Sequence, residues 1–377
     1  MNILAVGYFG EGNAGDDMLL ARLNELVAIN LPEATLTASW GSKSPWPCPV
    51  EDRTSRSLDD VVGRIDRVNA VILGPGGLLH NASLANNRHR DRGLAYLDAV
   101  VSAALATHTP VAAVAVGLGP IQGSTARSMT KRILDSCVSV STRDERSTRL
   151  ARSMRSGETV QVQDLVLGWQ PDTDVSSSSR SRTLGVSLRP WGDRSSTAKR
   201  TTAIADAIRR LTCEGAVDGV VGIPLSVHRD EALDDRGALA MLKRELAPST
   251  MEILQPTSLE DIQRAIRGVD LMLGMRLHAI IVAANAGVRT VGIAYDQKVD
   301  SVAASIDIRT IATDADASRI YSACLQALAA DPASPTSFEH LEIGAQLTSL
   351  ASARPTTQQG VSSARRFVES LFLAKGM

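Results

Sequence analysis

The run "VDLMLGMRLHAIIVAANAG", Val269 to Gly287, begins as a buried strand and ends as a buried helix. Val269 to Leu273 reads as a short, mostly apolar core strand, and Ala279 to Ala284 is a second apolar stretch. Between them stand Arg276 and His278, two polar side chains at the joint. In an open parallel sheet each strand hands over to a helix at its carboxyl edge, and that edge is where such folds bind ligands. A helix start also presents free N–H groups and the positive end of the helix dipole, which favour an anion. The stretch therefore reads as one strand–helix unit of a parallel sheet with a polar site at its mouth.

The same unit recurs along the chain. In the first half "NILAVGYF", "ATLTASW", "AVILGPG", "VAAVAVGLG", "SVSTRD" and "VQVQDLVLG" read as strands, with helical patterns such as "RGLAYLDAVVSAALATH" and "ERSTRLARSM" between them. The stretch "QPDTDVSSSSRSRT" is polar and without periodicity, and reads as a linker. Alternation then restarts with "LGVSLRP", "VDGVVGIPLS", "MEILQP", "VDLMLG" and "TVGIAYD", separated by helical segments. This predicts an α/β fold of two Rossmann-like domains facing each other across a cleft. The expected boundaries are 1–170 for the first domain, 171–183 for the linker, 184–345 for the second domain, and 346–377 for a tail ending in the amphipathic "SSARRFVESLFLAK".

Composition narrows the function. Of 377 residues, 40 are Lys or Arg and 41 are Asp or Glu, a formal net charge of -1 that argues against a nucleic-acid binder. Hydrophobic residues make up 44% but aromatics only 3%, so the cores must be aliphatic. Cys48, Cys137, Cys213 and Cys324 are scattered with no CxxC, which points to neither a zinc site nor a disulfide framework, and no metal is expected. The start of the chain lacks the basic region and apolar length of a signal peptide, and apolar stretches are interrupted by charge. The expectation is a cytoplasmic protein, with at most peripheral association at the inner face of the membrane.

Two glycine clusters follow strands. "GEGNAG", Gly10 to Gly15, fits the dinucleotide pattern G-x-G-x-x-G. The next strand, however, ends "TASWGSK" with no carboxylate for a ribose, and Asp16 and Asp17 would compete with a pyrophosphate for the same amides. What remains is a tight turn capped by Asp16, or a site for a neutral, hydroxyl-rich ligand held by Asn13 with Asp16 or Asp17. "LGPGGLLHN", Leu73 to Asn81, is either a sharp turn or a place where Gly76 and Gly77 let a ligand approach the backbone, with His80 beside them.

Cationic residues stand where strands should end: Arg143 after "VSVST", Arg189 after "LGVSL", Arg276 and His278 after "LMLG", Lys298 after "VGIAY". His228, Arg229 and Asp230 follow "VVGIPLS". Each alone is an ordinary surface charge. Arg143 could pair with Asp144 or Glu145 at a helix start, and Asp230 could be an N-cap. Together they describe a site for a small, highly charged anion, since arginine grips carboxylate or phosphate bidentately and lysine acts as a point charge.

The motifs "GYFGEGNAGDDMLL", "LGPGGLLHN", "VGLGPI", "STRDERS", "GVSLRPW", "GMRLHAIIVAANAG" and "GIAYDQKV" occur in this order from about Gly7 to Val299, and in this the chain resembles the bacterial polysaccharide pyruvyl transferases. The resemblance implies the two-domain glycosyltransferase architecture called GT-B. It also implies a reaction in which the enolpyruvyl group of phosphoenolpyruvate is placed on two hydroxyls of one sugar as a ketal, with loss of phosphate. The acceptor would be a saccharide of a cell-surface glycan or its precursor, often lipid-linked, on the side of Asn13, Asp16, Gly76, Gly77 and His80. Arg143, Arg189, Arg276 and Lys298 would hold phosphoenolpyruvate, the donor substrate, without any cofactor. Asp230 and His278 would supply the acid and the base, in either assignment, or His278 would instead hold the phosphate and protonate it as it leaves. The rival reading is a nucleotide-sugar-dependent glycosyltransferase of the same fold, in which the same cations would hold a diphosphate.

Overall fold

A computed structural model of the chain describes residues 1–81, 91–170, 182–248, 251–330 and 340–353. The amphipathic stretch at the carboxyl end and all but two residues of the expected linker lie outside these.

The first half forms one sheet from β1 (Asn2–Val6), β2 (Thr35–Trp40), β3 (Asp52–Ser55), β4 (Ala70–Leu73), β5 (Gly76–Leu79), β6 (Val111–Leu118), β7 (Ser139–Thr142) and β8 (Val160–Gln161). Its order is β3-β2-β1-β4-β6-β7-β8, with β5 paired to β6 beyond the end of β4, and every pairing is parallel. Helices α1 (Ala14–Asn30), α2 (Leu58–Ile65), α3 (Arg92–Ala106), α4 (Ser124–Ser136) and α5 (Glu145–Met154) connect the strands. The second half repeats the plan with β9 (Thr183–Ser187), β10 (Gly219–Gly222), β11 (Met251–Ile253), β12 (Leu271–Gly274), β13 (Arg289–Ala294) and β14 (Arg309–Ala312). Its order is β11-β10-β9-β12-β13-β14, again parallel throughout. Its helices are α6 (Arg194–Cys213), α7 (Asp235–Leu246), α8 (Leu259–Arg267), α9 (Leu277–Asn285), α10 (Gln297–Ser305) and α11 (Ala317–Ala329). The chain therefore folds as two Rossmann-like domains.

Strand order reverses between β1 and β4 in one sheet and between β9 and β12 in the other. These are the switch points at whose carboxyl ends a crevice opens. The loops at those ends are the glycine run after β1, Gly74 to His80 around β5, Arg189 after β9, and Arg276 with His278 after β12.

The apolar core does not stop at the domain boundary. Ile3, Phe9 and Met18 of the first half share one buried cluster with Leu225, Ile262 and Ile281 of the second. Helix α9 is buried along its whole length, as its uniformly apolar sequence requires, and α1 packs against both α8 and α9. A last helix, α12 (Leu341–Ser352), straddles position 345 and returns to the first sheet: its Gln346 amide donates to the carbonyl of Ala113 and its side-chain oxygen accepts from Ser141.

Some local readings change. "VQVQDLVLG" is a strand only at Val160–Gln161, and Asp164 begins a turn, its Oδ1 accepting from the Val166 amide at 3.1 Å. The Gly76–Gly77 segment is a strand rather than a turn, because its amides and carbonyls pair with β6. Helix α1 is capped by Asn13, whose Oδ1 accepts from the Gly15 amide, and not by Asp16. Helix α7 is capped by Asp234, and not by Asp230, which lies before a further turn.

Candidate functional site

The glycine run after β1 is shaped by close approaches. Gly10 has φ +71°, and a Cβ there would meet the Gly41 carbonyl at 2.5 Å. Gly12 has φ +86°, and its Cβ would lie 2.3 Å from the carbonyl of Val227, in the other domain. At that contact the loops hydrogen-bond across the cleft: Val227 N to Gly12 O at 2.9 Å and Ala14 N to Leu225 O at 2.8 Å. Gly12 thus serves domain contact, whereas Gly10 packs against the segment after β2 in its own domain. Asp17 turns inward, accepting from Gly10 N at 2.8 Å and Ser44 Oγ at 2.9 Å, and burial pushes its carboxyl up to about 7 against these two hydrogen bonds. Asp16 stays at the cleft, its Oδ2 held by Asn13 Nδ2 at 2.6 Å.

The cleft has two connected lobes. An inner cavity of about 650 Å³ is bounded by Asn13, Asp16, Gly77 and His80 from the first domain and by Arg189, Arg276 and His278 from the second, with Arg143 between them. An outer cavity of about 1230 Å³ adjoins it and shares Gly77, His80, Arg143 and Arg189. Gly76 lies just behind the wall, where a Cβ would be 3.4 Å from Asp16 Oδ1. Asp230 is not part of the inner group. It is exposed on the outer lobe, and its carboxylate accepts from Ala232 N at 3.0 Å. Lys298 lies in the first turn of α10, and its side chain is outside the described residues.

Each arginine is held differently. Arg276 directs Nε and Nη2 to Asp235, the shortest contact being 2.6 Å. Burial would lower its charge affinity, but Asp235 outweighs this and raises it. Asp235 also accepts the amides of Leu225 and Ser226, so one buried carboxylate fixes both Arg276 and the loop that meets the glycine run. Arg143 is buried, with Nη1 3.3 Å from Asp164 Oδ2; Asp144 is farther, at 3.8 Å, and its carboxylate caps α5. Gly117 makes room for the Arg143 guanidinium, since a Cβ there would stand 3.1 Å from it, whereas one on Gly77 would be in ordinary contact at 3.5 Å. Arg189 has no carboxylate within salt-bridge distance among the described residues. Its guanidinium lies 5.1 Å from the Trp191 ring centre and 4.7 Å from that of Tyr295, a cation–π setting that keeps its charge available.

His278 crosses the cleft. Its Nε2 is buried, lies 3.6 Å from Asp164 Oδ1 and makes no hydrogen bond. Its Nδ1 abuts α1, where a Cβ on Gly15 would come within 2.1 Å. Asp164 is fully buried; burial alone would raise its carboxyl, but His278 and Arg143 beside it hold it down at about 2. Sequence reading missed Asp164 and Asp235. The available signal was the one that exposed Arg276: a lone charge in an apolar run, in "VQDLVLG". Among the described residues no group of three His, Cys, Asp or Glu side chains could hold a metal ion, and no helix is long and apolar enough to cross a membrane.

A family described as polysaccharide pyruvyl transferase matches residues 13–297, well over half the chain. A search of curated proteins gives no match. Among solved structures, the UDP-GlcNAc 2-epimerase of Methanocaldococcus jannaschii is similar at TM-score 0.58 and 11% identity, covering 93% of this chain and 98% of that one. The Neisseria meningitidis UDP-GlcNAc 2-epimerase bound to UDP-GlcNAc is similar at TM-score 0.52 and 12% identity, covering 99% and 100%. An Anabaena protein in complex with UDP and glucose is similar at TM-score 0.51 and 12% identity, covering 98% and 99%. At such identities the likeness concerns the fold, the GT-B arrangement of two Rossmann-like domains.

Proposed function

Since the chain belongs to the polysaccharide pyruvyl transferase family, we propose that it condenses phosphoenolpyruvate with two hydroxyls of one sugar, giving a pyruvate ketal and phosphate. The observation that carries this reading is the inner cavity, where Arg143, Arg189, Arg276 and His278 meet a wall bearing Asn13 and Asp16. A donor with a carboxylate and a phosphate needs several fixed cations. Two of these arginines are oriented by buried carboxylates and one by aromatic rings, so they need little rearrangement to receive charge. Lys298 belongs to the same donor set. The acceptor, a saccharide of a cell-surface glycan or its precursor, sits against Asn13, Asp16, Gly77 and His80.

The protons balance with two groups. His278, as imidazolium, gives its proton to the methylene carbon of phosphoenolpyruvate while one sugar hydroxyl attacks C2 and passes its proton to Asp16. The C2–O bond to phosphate then breaks with its electron pair going to the departing oxygen, which takes the proton from Asp16. The second hydroxyl closes the ketal and its proton restores His278. Asp16 takes the role that sequence reasoning had given to Asp230, because Asp16 shares the inner cavity with His278.

Thermal denaturation tests the donor. Phosphoenolpyruvate should raise the melting temperature of the wild type and much less that of Arg189→Ala. Stabilisation by a UDP-sugar and none by phosphoenolpyruvate would favour the glycosyltransferase reading.

A further inference from the structure

The reaction above requires one particular nitrogen of His278 to face the substrates, and the structure contains a device for choosing it. The turn 164–170 of the first domain is attached to α9 of the second at both ends of that helix. At the carboxyl end the buried Asn285 side chain accepts from Gly168 N at 2.8 Å and donates to the carbonyls of Val166 at 2.7 Å and Trp169 at 3.0 Å. At the amino end Asp164 faces His278 Nε2. Asp164 is itself oriented by Val166 N on Oδ1 and by Arg143 on Oδ2.

We propose that Asp164 is the positioning residue for His278. It attracts the Nε2 proton, so that Nδ1, on the opposite side of the ring beside Gly15 and Asp16, is the nitrogen that moves protons in the inner cavity. The pair has one partner from each domain, and the Asn285 hydrogen bonds hold the two partners together. The 3.6 Å separation is slightly longer than a hydrogen bond, about 2.7–3.2 Å. Catalytic contacts commonly tighten in this way as a substrate complex forms. This inference rests on the pyruvyl-transfer reading for its kinetics but not for its geometry.

The groups around the imidazole are Asp164 at Nε2, Arg143 behind that carboxylate, Asp16 on α1, and Arg276 two residues back at the cap of α9. Asp164→Asn leaves the imidazole with two cationic neighbours and loses its nearest anion, which disfavours the imidazolium. Turnover should drop roughly 100-fold. The pH at which activity falls on the alkaline side should move down by about one unit. A purely structural role would lower activity without moving that limb. A wild-type profile and wild-type kcat in a folded Asp164→Asn protein would overturn the proposal. A second measurement needs no variant at the site of the pair: nitrogen-15 NMR of wild-type protein at alkaline pH, with the resonance assigned through His278→Gln. It should show the Nε2–H tautomer. The Nδ1–H tautomer would refute the assignment, whether or not phosphoenolpyruvate proves to be the donor. Absence of phosphoenolpyruvate turnover by the wild type, together with an Nε2–H tautomer, would sink the function and leave the positioning intact.

Discussion

A methyl group on Gly15 would lie 2.1 Å from Nδ1 of His278. The first turn of α1 and the first turn of α9, from different domains, therefore share one small volume. Gly15→Ala should push the imidazole off its position. Alanine is the better helix former by about 1 kcal/mol, so the helix itself should survive. The expected result is a loss of turnover of roughly 100-fold with circular dichroism unchanged and stability lowered by about 1–3 kcal/mol from overpacking. Full activity would mean that His278 has no fixed place in the reaction.

Gly12 governs how closely the domains meet. Its φ of +86° and the Val227 carbonyl 2.3 Å from a Cβ there both oppose a side chain. Gly12→Ala should cost about 1–3 kcal/mol from backbone strain and part the loops that bond at Ala14 and Val227. Solution X-ray scattering should report a larger radius of gyration than for the wild type. An unchanged radius with unchanged stability would count against a cleft fastened at this point.

Asp17 gives a pH dependence with a definite sign. Burial raises its carboxyl to about 7, whereas in the unfolded chain an aspartate titrates near about 3.9. The folded protein thus binds this proton more tightly. Its contribution is fully favourable below the unfolded value, declines as pH rises from about 4 to 7, and is level beyond. Asp17→Asn removes the ionisation while the amide oxygen still accepts a hydrogen bond. The variant should melt higher than the wild type at pH 8, and the gap should narrow towards pH 5. A gap that does not vary with pH would contradict this account.

The repeated strand–helix alternation made the two Rossmann-like domains legible, because strands buried on both faces read as unbroken apolar runs. Arg276 and His278 stood out for the same reason: charge inside such a run has to be doing something. Asp164 carries a similar signal but lies in a segment whose pattern reads as strand. Asp235 is hidden in the acidic pair at the start of α7, where one carboxylate turns inward to Arg276 and its neighbour Asp234 caps the helix. Asp230 illustrates the limit from the other side. Sequence places it near the site, but only the path of the loop after β10 puts it on the outer lobe. Contacts between domains, such as His278 with Asp164, depend on how the two halves face each other, and no local pattern encodes that.

The central claim is transfer of an enolpyruvyl group within the inner cavity. The most direct measurement incubates the protein with phosphoenolpyruvate and a panel of glycans, following phosphate release and the mass of the acceptor together. Wild-type protein should release phosphate only when an acceptor gains the mass of a pyruvate ketal, and His278→Ala should do neither. Phosphate release and acceptor mass gain of near-wild-type rate in His278→Ala, or no mass gain with any glycan beside glycosyl transfer from a UDP-sugar, would contradict it.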